Sequence, residues 1–305
     1  MNPDTPITGV YVAAVTPHRK GSSEADLGAT LELVDFLAGA GVNGIALLGS
    51  TGEFLHLTSG DRIRLVQLAV KRSRVPVLAG VGHSTLDGAI AIGREAASAG
   101  AAGLLLMPPY FFRYSQEDIR EFYMQFTAAL GRSARIFLYN IPFFTNEIAI
   151  ATSIALLSTG EFAGIKDSSG EYDHFERLLE LSREKAFTVL VGNDRIFTRA
   201  RKAGAHGIVS GVACAVPELL VALDRAIRNN RVNEAERLDA KLQEFIAWHE
   251  QFPTPVAIKI AAAERGLKIG PLAVPLGSAG QKRLEEFREW FRTWLPEVQK
   301  DTSSA

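Results

Sequence analysis

Short, almost uninterrupted apolar runs recur along the chain, at 9–17, 43–49, 75–80, 103–108, 135–140, 162–166, 188–192 and 207–211. A strand with one face in water alternates apolar and polar residues, whereas a strand covered on both faces does not, so these runs predict buried parallel strands. The segments between them place apolar residues three and four apart, as in Leu31, Val34, Leu37 and Ala38, or Ile119, Phe122, Tyr123 and Phe126. That spacing lines one face of a helix. Ser115 with Asp118 and Thr58 with Asp61 mark two helix starts, an Asp-for-Glu form of the capping box.

Strand then helix, repeated eight times at about 30 residues per unit, predicts an α/β fold of the (β/α)8 TIM-barrel type. A doubly wound sheet is the alternative. The even unit length and the polar residues at the ends of non-neighbouring strands favour the barrel. Amphipathic segments at 232–248, 255–264 and 281–294 follow the last unit, whose own helix is 217–228. The expected division is a catalytic barrel over 1–230 and a C-terminal helical appendix over 231–305, packed on the barrel or in an oligomer contact. Its polar end, 296–305, is expected to fray.

Composition narrows the partners. Lys plus Arg number 33 and Asp plus Glu 34, a formal charge of −1 that argues against nucleic acid or a polybasic membrane tether. The long uncharged stretch 96–112 is broken by Pro108 and Pro109 and falls short of the roughly 20 residues a membrane span needs. With a single cysteine, Cys214, and no leader pattern at the start, a cytoplasmic protein is expected. The six histidines show no metal-ligand spacing, so no metal and no cofactor is expected.

In a barrel of this type the chemistry sits at the C-terminal ends of the strands. Lys166 closes the apolar run of the sixth strand. A lysine desolvated there loses basicity, and a neutral amine is the nucleophile that forms a Schiff base with a carbonyl. The alternative is a lysine that snorkels from the strand end to pair with Asp167. Tyr139 ends the fifth strand, where a phenol can move a proton at an imine or serve only as packing. Gly49-Ser50-Thr51-Gly52-Glu53 offers N–H groups and two hydroxyls to a carboxylate, but lacks the lysine and length of a phosphate loop. The G-x-G-x-x-G match at 39–44 follows a helix and precedes a strand, the reverse of a dinucleotide site. It reads as a helix C-cap and turn.

Gly49 to Glu53, Pro108-Pro109-Tyr110, Tyr139-Asn140-Ile141-Pro142, Gly164-Ile165-Lys166-Asp167 and Gly192-Asn193-Asp194, in this order and spacing, resemble the dihydrodipicolinate synthase and N-acetylneuraminate lyase family. The resemblance spans nearly the whole chain. It implies a class I, Schiff-base lyase or aldolase, commonly a homotetramer built as a dimer of dimers. By that resemblance Lys166 forms the imine with pyruvate or another 2-keto acid, and Tyr139 moves protons. Ser50 and Thr51 hold the keto-acid carboxylate, with Thr51 bonded to the Tyr139 hydroxyl. Val209 lies by the keto acid, Gly192, Asn193, Asp194 and Ser210 contact the distal part of the substrate, and Tyr110 and Phe144 stand among the substrate-facing residues. Two departures matter. Dihydrodipicolinate synthases carry an arginine where this chain has Phe144, and a relay tyrosine lent across the dimer where it has Phe111. Loss of a carboxylate clamp and of a proton path argues against that activity here, and the Phe143-Phe144 wall argues against N-acetylneuraminate lyase.

The expected function is therefore a lyase, aldolase or dehydratase acting on pyruvate or a 2-keto-3-deoxy sugar acid. The alternatives are 4-hydroxy-tetrahydrodipicolinate synthase or N-acetylneuraminate lyase activity, and, from another class, a keto-acid-binding protein that has lost catalysis. A phosphate-handling barrel is the weakest reading, because the segment 211–214 is apolar.

Overall fold

The computed structural model describes residues 6–22 and 24–303. Eight parallel strands, β1 Gly9–Ala13, β2 Gly44–Leu47, β3 Val77–Gly80, β4 Gly103–Leu106, β5 Ile136–Asn140, β6 Gly164–Asp167, β7 Thr188–Val191 and β8 Gly207–Ser210, pair in sequence order. β1 also pairs with β8, Tyr11 opposite Val209, which closes the barrel and excludes an open doubly wound sheet. The expected runs overshoot the strands by one to a few residues. The surplus, as in 14–17 and 48–49, forms the apolar start of the loops at the barrel mouth.

Glycines decide how the floor of the barrel fills. A Cβ on Gly44 would lie 2.1 Å from the Tyr11 ring, and one on Gly103 3.0 Å from the Phe137 ring. Two large inward aromatics thus fit because their neighbours have no side chain, the alternation of bulk that packs a barrel interior.

Helices α1 Leu27–Gly39, α2 Ser59–Arg72, α3 Leu86–Ser98, α4 Gln116–Leu130, α5 Ile150–Leu157, α6 Tyr172–Glu184 and the short α7 Phe197–Lys202 cover the strands. Thr58 accepts the Asp61 N–H at the start of α2, and Ser115 with Asp118 forms a complete capping box on α4. Ala40 caps α1 and Gly41 follows at φ +81°, so the glycine pattern there is a helix stop. A one-turn α8, Val212–Ala215, precedes α9, Pro217–Arg228.

Beyond the barrel lie α10 Val232–His249, α11 Val256–Glu264 and α12 Ser278–Ser303. Trp248, Trp290 and Trp294 pack with Phe245, Phe287 and Phe291 into one aromatic core between α10 and α12. The expected fraying from 296 onward is not seen: α12 continues through Pro296 to Ser303, with Val298 fully buried. Only 304–305 of that stretch fall outside the described residues. Burial of Val298 supplies what a polar terminal sequence does not advertise.

Candidate active site

Pairing of β5 with β6 sets Tyr139 directly opposite Lys166. Both side chains are buried, and the Lys166 Nζ lies 3.9 Å from the centre of the Tyr139 ring. Asp167 does not pair with Lys166. Its carboxylate instead accepts Asn140 Nδ2 at 2.8 Å, and Ser169 N and Oγ at 3.0 and 2.5 Å. Among the described residues the lysine thus lacks the ion pair with Asp167 that a snorkelling role requires. Burial pushes the Tyr139 phenol up, but the Lys166 charge and hydrogen bonds with Lys166 and Ser50 outweigh it and hold the phenol below its ordinary value.

The hydroxyl bonded to Tyr139 belongs to Ser50, at 3.3 Å, and not to Thr51 as the resemblance implied. Thr51 points the other way: its Oγ1 lies 3.2 Å from where a Cβ on Gly211 would sit. The turn carrying both residues is flanked by two left-handed residues, Leu48 at φ +61° and Glu53 at φ +50°. Such conformations cost side-chain-bearing residues about 1–2 kcal/mol each and persist only where the surroundings hold them. Here Gly80 makes room, since a Cβ on it would lie 2.1 Å from the Leu48 carbonyl oxygen, and Thr16 donates to the Gly52 carbonyl at 2.7 Å.

Lys166, Tyr139, Ser50, Thr51, Gly192, Asn193, Asp194, Val209 and Phe144 all line one cavity of about 500 Å³ at the C-terminal mouth of the barrel. A Cβ on Gly192 would lie 1.9 Å from Ser168 Oγ and 2.8 Å from Lys166 Cε, so any larger residue there would have to move both side chains. Ser210 is placed behind the wall. Its Oγ accepts the Ala213 N–H at 2.9 Å, so its own proton goes to the Asp194 carboxylate. Burial raises the Asp194 carboxyl to about 6, against the bonds from Ser210 and the Val212 and Gly211 N–H groups and the Lys166 charge. Tyr110 is not part of the cavity. It packs edge-on against Phe54 at 5.8 Å, on the far side of the β2 turn.

Several lining residues were not foreseen. Ser168, next but one to Lys166, is buried with a hydroxyl that has no hydrogen-bond partner. Ile246, His249, Glu250, Phe252 and Ile258 reach the cavity from α10, α11 and the loop between them. No strand-end motif could announce these, because their place depends on how the appendix folds over the barrel. Arg195, also on the wall, pairs with Glu250 through Nε at 3.1 Å and through Nη2. Cys214 is buried and burial pushes its thiol up to about 12, so it is no nucleophile. Among the described residues no group of His, Cys, Asp or Glu is placed to hold a metal ion. A larger cavity of about 710 Å³ opens at the N-terminal end of the barrel, beside Ala101, Arg135 and Gly160, and contains none of the candidates.

The arrangement supplies a buried amine, a phenol against it and a turn of hydroxyls, which suits carbonyl chemistry through an imine. Comparison with known proteins points the same way. The family model described as the dihydrodipicolinate synthetase family matches residues 6–293. The chain is 30% identical to a 4-hydroxy-tetrahydrodipicolinate synthase of Methanothrix thermoacetophila, covering 92% of this chain and 95% of that protein. It superposes on the structure of the 4-hydroxy-tetrahydrodipicolinate synthase of Methylacidiphilum fumariolicum SolV with a TM-score of 0.88 at 29% identity, covering 97% and 99% of the two chains. The structure of YagE, an Escherichia coli K12 prophage protein in complex with pyruvate, gives 0.86 at 26% identity, with 94% and 98% covered.

Proposed function

From the premise that this chain belongs to the dihydrodipicolinate synthetase family, and so is a pyruvate-type lyase or aldolase, we propose that it cleaves or dehydrates a 2-keto-3-deoxy sugar acid through an imine on Lys166. The observation that carries the reading is the buried Lys166 amine in the cavity with the Tyr139 phenol against it and, among the described residues, no carboxylate paired to it.

Lys166 attacks the keto carbon as the free amine, its proton having passed to the Tyr139 oxygen against it. The carbinolamine loses water, with Tyr139 passing the proton to the departing oxygen, and leaves an iminium. This cation draws electrons from the bond two atoms away. In cleavage, the C3–C4 pair flows into an enamine while the C4 hydroxyl gives up its proton to Tyr139, releasing an aldehyde. Protonation at C3 and hydrolysis return pyruvate and the free amine. In dehydration, C3 loses a proton and C4 loses its hydroxyl as water. Ser50 and Thr51 are assigned to the keto-acid carboxylate, and Val209 to the wall beside it.

The distal wall supports a hydroxyl-bearing arm. Ser168 lacks a partner, Asn193 and Asp194 line the same side, and Ser210 fixes Asp194 from behind. Across the cavity Ile141, Phe143 and Phe144 present carbon where a condensing synthase would need a carboxylate clamp, which argues against 4-hydroxy-tetrahydrodipicolinate synthase activity. We further propose a homotetramer, working in the cytoplasm without a cofactor. Exposed Phe111 and Phe112 at the mouth support association, and among the described residues no helix is long and apolar enough to cross a membrane.

A panel of 2-keto-3-deoxy acids, read for pyruvate and for semialdehyde product, tests the reading. Turnover of at least one member is expected. Imine formation with pyruvate but no turnover of any member would make the protein a keto-acid binder instead.

A further inference from the structure

On the far side of the Ser50–Thr51 turn from the cavity lies a buried ion pair that the reaction does not use. Lys259 on α11 is 1% exposed, and its ammonium contacts the carboxylate of Glu53, whose side chain is 9% exposed. Glu53 Oε2 has no partner other than that ammonium. His18 Nδ1 lies 3.5 Å from the same Lys259 Nζ, and His56 Nδ1 3.6 Å from the other Glu53 oxygen. An ion pair taken out of water brings little net stability, so its presence calls for another account, such as the fixing of one geometry.

The location supplies one. Glu53 is the left-handed residue that ends the turn, and its N–H closes the turn on the Ser50 carbonyl at 3.0 Å. The preceding residue of α11, Ile258, faces the opposite side. Its Cδ1 and Thr51 Oγ1 lie 3.0 and 3.2 Å from the point where a Cβ on Gly211 would sit. Two consecutive residues of one helix thus meet the turn's surroundings, Ile258 beside Gly211 next to Thr51 and Lys259 through charge at Glu53. Burial pushes the Lys259 ammonium down, and the Glu53 charge and hydrogen bond oppose that. His18 is likewise held below its ordinary value by burial and then by the Lys259 charge, which keeps it neutral beside the ammonium.

We propose that Lys259 and Glu53 are positioning residues for the keto-acid carboxylate: the pair clamps the Ser50–Thr51 turn onto α11 and thereby sets affinity for the carboxylate, although neither residue lines the cavity. The inference rests on the functional reading above, in which that turn receives the carboxylate.

The test measures borohydride trapping of pyruvate by intact mass across pyruvate concentrations, for the full chain and for Glu53→Gln, Lys259→Met and the double variant. Removing either partner should raise the half-saturating pyruvate concentration by about tenfold or more, the effect of roughly one displaced charge-assisted contact, while the trapping rate at saturation stays within about threefold. The double variant strands no charge. It should recover the thermal midpoint lost by either single variant but keep the weakened half-saturation, a split that a merely structural role would not produce. If Lys259→Met does not fold, the near-isosteric Glu53→Gln and the double variant carry the test. Wild-type half-saturation in a folded double variant would overturn the clamp alone. Absence of any adduct on the wild type would overturn the functional reading and the clamp with it.

Discussion

At the scale of single residues, the site is a contest between burial and charge. Lys166 and Tyr139 share one buried space, and the phenol is held low because burial, the largest single effect, is outweighed by Lys166 and the Ser50 hydrogen bonds together. Tyr139→Phe leaves the packing and removes the proton carrier, so turnover should fall by about 10² to 10⁴ with the fold unchanged, as steady-state rates on an accepted substrate will show. Asp194 shows the reverse balance. Its folded carboxyl is raised to about 6 from an ordinary 3.8, so it favours the folded state most below the lower value and that contribution is lost as pH rises through the upper one. Full loss amounts to about 3 kcal/mol. Chemical denaturation at pH 5 and pH 7.5 should show wild-type stability falling between them by more than that of Asp194→Asn; equal changes would mean that Asp194 is ionised without penalty. The order and spacing of the strand-end motifs made Lys166 and Tyr139 legible as candidates through the resemblance, whereas residue identity alone left a snorkelling lysine and a packing phenol open. The sequence could not tell which of two adjacent hydroxyls, Ser50 or Thr51, turns toward the phenol, since that is set by the left-handed residues on either side.

At the scale of elements, strand pairing is what turns separated motifs into a site. β5 and β6 bring Tyr139 beside Lys166, and the end of β7 must pass close enough to hold both Lys166 and Ser168 in place. Gly192→Ala should therefore displace the lysine: a methyl 1.9 Å from Ser168 Oγ and 2.8 Å from Lys166 Cε cannot be absorbed by one rotamer change. Imine trapping at saturating pyruvate should slow by at least about tenfold, and a trapping rate equal to wild type would show that the wall yields. The strands were legible as apolar runs because parallel strands are buried on both faces. Ser168 was legible too but overlooked, since side chains alternate along a strand and the residue two after Lys166 shares its face. Tyr110 was misplaced for a different reason: a loop that leaves the barrel mouth can pack outward, against Phe54, as readily as inward.

At the scale of the whole molecule, the appendix belongs to the site. α10, α11 and their connecting loop close one side of the cavity, so the sequence boundary near 230 marks a change of architecture and not a border of function. The aromatic pair Phe111 and Phe112, 90% and 65% exposed, calls for cover of its own. Light scattering behind size exclusion should give a mass four times the 33.1 kDa chain, and Phe111→Ser with Phe112→Ser should lower it; a monomeric wild type would contradict the tetramer. The most direct measurement of all uses the intact protein. Incubation with pyruvate and borohydride, followed by peptide mapping, sets one buried lysine against exposed ones such as Lys268, whose side chain is 73% in solvent. A single reduced adduct on Lys166, absent from Lys166→Ala, is the expected result. An adduct on the surface lysines alone, or none, would contradict imine catalysis in this barrel.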